Sequence, residues 1–341
     1  MTDAPLPLGK LPSDLLARLL ATYGSADPAT LVGPGVGRDA AAIAVGDGAA
    51  VLVVKSDPIT FATTSAAAYL VDVNANDVAC LGARPRWLLT TALLPPGTTP
   101  AAVEEQFADL FAACKRRGIS LVGGHTEVTA GLDRTILVGT LLGETTADRL
   151  LRPGGTRPGD LLLLTKALAL EGTALLANEL GDHLAPAVGR ETVERARRFL
   201  ADPGISVVRD ADVLLAAGGV TALHDPTEGG LAMGAREMAE AAGCGVEIRL
   251  ADVPVLPETA AIAQHFGLDP LGMLASGSLL AAARPDSVPG LLTAATRAGV
   301  AVAEVGRVVE AGQGYRLLSN GNAAPLPVFA TDEVSRALAE A

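Results

Sequence analysis

Apolar positions recur along the chain in two rhythms, and each predicts a different element. Leu15, Leu16, Leu19 and Leu20 fall at helical spacing and predict a first helix over Leu11–Gly24, which Ser13 can cap. A long helix is predicted over Thr64–Leu81, stopped by Gly82 and Pro85. An amphipathic helix follows over Thr99–Arg117, ended by Gly118. Further helices are expected near Gly172–Leu180, Glu191–Leu200, Ser206–Ala217 and Leu231–Ala242. Short apolar runs predict strands at Ala49–Val54, Trp87–Leu94, Ile119–Val122 and Thr135–Leu142. Later strands are expected at Asp160–Thr165, Val246–Arg249, Ser278–Ala283 and Val302–Val308. Strands and helices mix in both halves without strict alternation, which predicts an α+β class.

The stretch Arg152–Gly159 is dense in turn residues and separates two apolar runs, so it predicts a domain boundary. Two domains, 1–150 and 151–341, agree with a length of 341 residues, more than one core usually absorbs. Hydrophobic content of 49% is ample for burial. A net charge of −12 argues against a nucleic-acid partner, which needs a basic footprint. The same field repels free phosphates, so a nucleotide site here would need bound cations to mask it. Cys80, Cys114 and Cys244 are far apart and form no paired motif, which suits a reducing compartment. The N-terminus has no apolar secretory segment, and Leu161–Leu164 is too short to span a bilayer. A soluble, cytoplasmic protein with no membrane partner is therefore expected. Basic residues total 26, of which only Lys10, Lys55, Lys115 and Lys166 are lysines, so each lysine invites a question about its role.

Candidate chemistry gathers at acidic positions in loops and on one helix. Asp39 follows Gly37-Arg38, where small neighbours permit close approach of a ligand; read alone, it serves equally well as a turn cap. Asp57, in Lys55-Ser56-Asp57-Pro58, stands where an apolar strand delivers a carboxylate, or else is a turn aspartate before proline. The helix over Thr64–Leu81 carries Asp72, Asn74, Asn76 and Asp77 among apolar residues. Asp and Asn are poor in helix interiors, so four within six positions favour a binding role over a solvated stripe. His224-Asp225-Pro226-Thr227-Glu228-Gly229-Gly230 is a glycine turn entering a helix, able to face an anion or to act as an ordinary N-cap. Gly123-Gly124-His125-Thr126-Glu127 is expected as a turn after a strand, bringing amides, a hydroxyl and a carboxylate near a phosphate. It is not a Walker A loop, and no zincin, nucleophile-elbow or dinucleotide fingerprint occurs. Oxygen-only ligands suit Mg²⁺ rather than zinc.

Read in order, the runs GRDAAAI, KSDPIT, VNANDVACLGARPRW, LVGGHTEVT, LRPGGTRPGD, HDPTEGGL and DPLGMLASGSLL resemble the AIR synthase (PurM) superfamily, nearest its hydrogenase-maturation HypE branch. The resemblance implies a two-domain PurM-like α+β fold, with N-terminal sheets pairing two chains into a barrel-like homodimer. It implies ATP and Mg²⁺ as cofactors, with Asp39, Asp57, Asp77 and Asp225 on the metal side. Asn76, Gly123, Gly124, Thr126, Glu127, Thr227, Gly229 and Gly230 map near the nucleotide. Lys10, in a segment similar to the family's N-terminal Gly-Lys run, and His125 are the candidate catalytic groups; a solvated lysine and a plain loop histidine are the alternatives. The implied chemistry is activation of an oxygen of a small-molecule or protein substrate by phosphoryl transfer. A non-catalytic nucleotide-binding maturation partner and a small-metabolite kinase of the thiamine-monophosphate kinase type are the competing functions. Two departures stand out. No cysteine follows Cys244, so modification of the chain's own C-terminal cysteine is not expected, and Arg38 precedes Asp39 where relatives often have two acids.

Overall fold

The computed structural model describes residues 13–23, 27–60 and 65–340, so Lys10 lies outside the described residues. The chain forms two compact units. The first comprises residues 27–33 and 39–150, and the second the helix Ser13–Tyr23, residues 34–38 and residues from Leu151 onward.

In the first unit, β1 (Thr30–Val32), β2 (Ala41–Val45), β3 (Ala50–Ile59), β4 (Arg84–Leu94), β5 (Ser120–Val128) and β6 (Ile136–Thr146) form one sheet. Its order is β1-β2-β3-β6-β4-β5. All neighbours are antiparallel except β4 and β5, which run parallel. A parallel pair needs a crossover, and the helix Pro100–Arg117 supplies it. Thr99 caps that helix by accepting from the Ala102 amide, and Gly118 closes it at φ 66°.

The helix Ala66–Cys80 is enclosed around almost its whole circumference, its polar residues included: residues 69–80 are all buried. It sits close on the sheet because β6 offers glycines beneath it. A Cβ on Gly139 would lie 2.8 Å from Asn74 Nδ2, and one on Gly143 would lie 2.3 Å from Val78 Cγ1. The buried face of β3 follows strand alternation through Val51, Val53, Lys55 and Asp57, while Ser56 turns away toward Thr140 on β6.

The run Gly123–Glu127 is not a turn. It continues β5 in register with β4, pairing Gly124 with Thr90, His125 with Thr91, Thr126 with Ala92 and Glu127 with Leu93. Two glycines make a poor strand in isolation, but pairing along β4 overrides that preference. Gly124 is required there: at φ +146° an added Cβ would fall 1.9 Å from the Thr90 carbonyl oxygen.

The second unit is built on a seven-stranded sheet of β7 (Leu161–Thr165), β8 (Val220–His224), β9 (Gly245–Arg249), β10 (Leu280–Ala283), β11 (Val302–Val309), β12 (Tyr315–Ser319) and β13 (Asn322–Pro325). Their order is β13-β12-β9-β11-β7-β10-β8. β7 lies between β10 and β11, and Leu162, Leu163 and Leu164 are buried, as a continuous apolar run requires. Strands at residues 30–32, 41–45, 220–224, 315–319 and 322–325 lie outside the sequence expectation, as do helices at 181–188, 257–266, 288–298 and 333–340. Among the described residues, no helix is long and apolar enough to cross a membrane.

Candidate functional site

The acidic positions on β3 and on the helix Ala66–Cys80 meet in the first unit. Alternation puts Lys55 and Asp57 on the same face of β3, the face this helix covers. Asp72, Asn74, Asn76 and Asp77 are exposed by 6, 0, 0 and 3%, so they form no solvated stripe. Two of them have structural duties. Asp72 accepts both Nε (2.5 Å) and Nη2 (2.9 Å) of Arg117, tying this helix to the crossover helix. Asn74 donates to the Leu70 carbonyl at 2.8 Å and accepts the Asp57 amide at 3.1 Å, which fixes the backbone that carries Asp57.

Asp77 completes a charged cluster. Lys55 Nζ stands 2.9 Å from Asp77 Oδ2 and 3.2 Å from Asp57 Oδ2. Burial opposes the Lys55 charge, but the carboxylates of Asp77, Asp57 and Asp39 outweigh it and hold the ammonium above its ordinary value. Burial also holds the Asp77 carboxyl above the usual range; Lys55 opposes this, while Asp39 and Asp57 add to it. The charge of Asp39 therefore reaches both partners of the Lys55–Asp77 pair.

This donor set fits a hard divalent cation in kind, being all oxygen. Asp77 Oδ2 is also buried without a partner at hydrogen-bonding angle, despite the nearby ammonium; a cation would satisfy such an oxygen. Among the described residues, however, no three His, Cys, Asp or Glu side chains already stand as a metal cage. Lys55 contacts two of the carboxylates that such a cage would use.

β5 lies apart from this cluster. β6 and β4 separate it from β3, roughly 14 Å across the sheet at ordinary strand spacing. His125 and Glu127 share one face of the strand, with His125 Nε2 3.1 Å from Glu127 Oε2, and Thr129 Oγ1 donates to Glu127 Oε1 at 2.5 Å. The bond from Thr129, then that from His125, holds the exposed Glu127 carboxyl below its usual range. Gly123 has open space where a side chain would stand.

In the second unit, β8 ends at His224, whose Nε2 lies 3.1 Å from Glu237 Oε2. Asp225 follows it, 1% exposed. The glycine turn is already engaged internally. Gly229 N donates to Asp332 Oδ2 at 2.8 Å, and Gly230 N donates to the Thr227 carbonyl at 3.0 Å. Their conformations are glycine-specific: at φ +62° a Cβ on Gly230 would lie 2.4 Å from the Leu271 carbonyl oxygen.

Several residues here escape sequence inspection. Asp332 accepts the amides of Gly229, Leu274 and Val334, yet burial pushes its carboxyl up to about 6. Its position before the amphipathic helix Glu333–Glu340 is the signal of an N-cap. Glu171 is 7% exposed, and its Oε2 has no hydrogen-bond partner. Burial pushes it up to about 7; Ser276 opposes the rise, and the charges of Asp332 and Glu228 add to it. Lys55 was visible only as one of four lysines, though its place two residues before Asp57 puts it on the same strand face.

The description "AIR synthase related protein, N-terminal domain" matches residues 37–145, and "AIR synthase related protein, C-terminal domain" matches residues 157–318. The chain is 30% identical over 288 residues to a carbamoyl dehydratase HypE of Cupriavidus necator, covering 82% of this chain and 79% of that protein. The crystal structure of Escherichia coli HypE, a hydrogenase maturation protein, superposes with a TM-score of 0.71 at 25% identity, over 84% of this chain and 88% of that one. A crystal structure of HypE in complex with ATP superposes with a TM-score of 0.68 at 23% identity, over 94% of each chain. The order of the acidic runs, the two-unit α+β fold and these matches agree, and the chain belongs to the AIR synthase-related (PurM-like) family, close to HypE.

Proposed function

We propose that this chain is a Mg²⁺- and ATP-dependent enzyme that activates an oxygen of a carbamoyl- or amide-type substrate by phosphoryl transfer. The observation that carries the reading is the meeting of Asp57 and Asp77, within the field of Asp39, in a chain similar to a carbamoyl dehydratase. Asp39, Asp57 and Asp77 of the first unit are assigned to Mg²⁺, as is Asp225 of the second; Mg²⁺ when bound would offset phosphate charge and orient the phosphates for in-line attack. Asn74 orients Asp57 through its backbone, and burial of the helix Ala66–Cys80 fixes Asp77. Asn76, Thr227 and the strand residues Gly123, Gly124, Thr126 and Glu127 are assigned to the nucleotide, with Lys10 and His125 as catalytic candidates. Because the Gly229 and Gly230 amides are engaged, they shape the loop that presents Asp225 and Thr227.

A homodimer and a cytoplasmic setting belong to the same reading. β5 has a single neighbour, and Val122 and Val128 are 54 and 60% exposed, which supports a second chain packing there. Cys80, Cys114 and Cys244 are buried and form no disulfide, which suits a reducing compartment. Calorimetry with a non-hydrolysable ATP analogue tests the central claim. Binding should require Mg²⁺ and weaken about tenfold or more in Asp77→Asn, in line with loss of one ligand of a metal centre. Nucleotide binding indifferent to Mg²⁺ would refute it. Binding without turnover on any carbamoyl or amide compound would favour the non-catalytic partner instead.

A further inference from the structure

Burying a lysine on the covered face of a strand is costly unless its charge has partners. Among the described residues, Lys55 on β3 and Lys166, just beyond the end of β7, are both largely buried, and they are held differently. Lys166 Nζ donates to the carbonyls of Gly204, Ser206 and Gly277 at 3.2, 2.6 and 3.1 Å, with Asp210 at 3.2 Å. Those carbonyls saturate its three donors, so it acts as a strut between loops. Lys55, 19% exposed, meets carboxylates instead: Asp77 at 2.9 Å and Asp57 at 3.2 Å. These are two of the groups assigned to the metal, and among the described residues no three-ligand cage is formed around them.

We propose that Lys55 is a resident cation of this site, its ammonium supplying between Asp57 and Asp77 the positive charge that a further divalent ion would otherwise bring. The proposal rests on the metal reading above and goes beyond it by lowering the number of ions the site takes. Within the first unit, the carboxylates of Asp39, Asp57 and Asp77 and the one ammonium leave a net charge of −2, which one divalent cation neutralises. The chain then binds one ion fewer than the same carboxylates would accept without the lysine. Lys55 stays in place when the site is loaded.

Manganese is a suitable probe, with free ion counted by electron paramagnetic resonance in the presence of a non-hydrolysable ATP analogue. Lys55→Met should bind one more manganese ion per chain than the unaltered protein. Its nucleotide-free affinity should rise about tenfold, the order expected on removing one unit charge a few ångströms away. Lys55→Arg, which keeps the charge, should retain the original count. Equal counts in Lys55→Met and the unaltered protein would overturn the inference while leaving the metal reading intact. No bound manganese in either protein would overturn both. Should Lys55→Met fail to fold, the unaltered protein still decides. Acetylation of Lys55, followed by peptide mass spectrometry, should be no faster with manganese and the analogue present. A metal-dependent rise in labelling would mean that the ion displaces the ammonium, and the inference would fall.

Discussion

Glu171 offers a test of the electrostatics that needs no ligand. It is the second residue of the helix Leu170–Glu179, 7% exposed, with Oε2 lacking a hydrogen-bond partner. Its carboxyl is pushed up to about 7, chiefly by burial, from an ordinary 4.5. At about 1.4 kcal/mol per pH unit, that difference corresponds to roughly 3 kcal/mol. The sign follows from proton binding. Below the unfolded value both states hold the proton, and no penalty arises. Between the two values the folded state binds the proton more tightly, so stability falls as pH rises. Above about 7 the whole penalty is present. Glu171→Gln keeps the shape and removes the titration. Urea unfolding followed by circular dichroism, at pH 5 and pH 8.5, measures the outcome; Trp87, the single tryptophan, sits in the other unit and would not report it. The variant should gain up to about 3 kcal/mol over the unaltered protein at pH 8.5, and much less at pH 5. A gain that is the same at both pH values would refute the argument, as would a loss at pH 8.5.

Other consequences are equally direct. Asp72→Asn removes the buried charged partner of the Arg117 guanidinium, and should cost about 1–3 kcal/mol in urea unfolding. Gly139→Ala places a Cβ 2.8 Å from Asn74 Nδ2, so it should destabilise by about 1–3 kcal/mol. Because Asn74 holds the Asp57 amide, the same substitution should also weaken Mg²⁺-dependent nucleotide binding by calorimetry. An unchanged affinity in a folded Gly139→Ala protein would separate Asn74 from the positioning of Asp57.

Long periodic segments were legible in the chain. The helices Ala66–Cys80 and Pro100–Arg117 and the strand Leu161–Thr165 follow from apolar spacing, and their ends from Gly82, Thr99 and Gly118. The short edge strands at residues 30–32 and 322–325 carry too few residues for a rhythm to show. β5 was misread because its glycines signal a turn, whereas the information that makes it a strand lies in β4. Within the candidate site, Asp57 and Asp77 could be singled out because carboxylates on apolar elements are conspicuous. Asn74 stood out with them as a polar residue on that helix, but its hold on the Asp57 amide, like the role of Lys55, could not be read, because it depends on how the helix Ala66–Cys80 seats against β3, a contact between segments distant in sequence. Glu171 is hidden for the same reason: its cost comes from burial, to which the charge of Asp332, about 160 residues away, adds, while Ser276, about 100 residues away, relieves part of it.

The parallel seam between β4 and β5 has a consequence for how the first unit opens. β3 and β6 are locked by antiparallel neighbours on both sides and β4 by one antiparallel and one parallel neighbour, whereas β5 has one neighbour and reaches it only after the crossover helix is in place. Its outward amides should exchange with deuterium ahead of those in β3 and β6, and its pairing with β4 should be the first to breathe. The run Gly123–Glu127 therefore sits on an edge strand of the sheet. Anything that docks there, whether nucleotide or second chain, would announce itself as slowed exchange along β5 before it altered any other part of the unit.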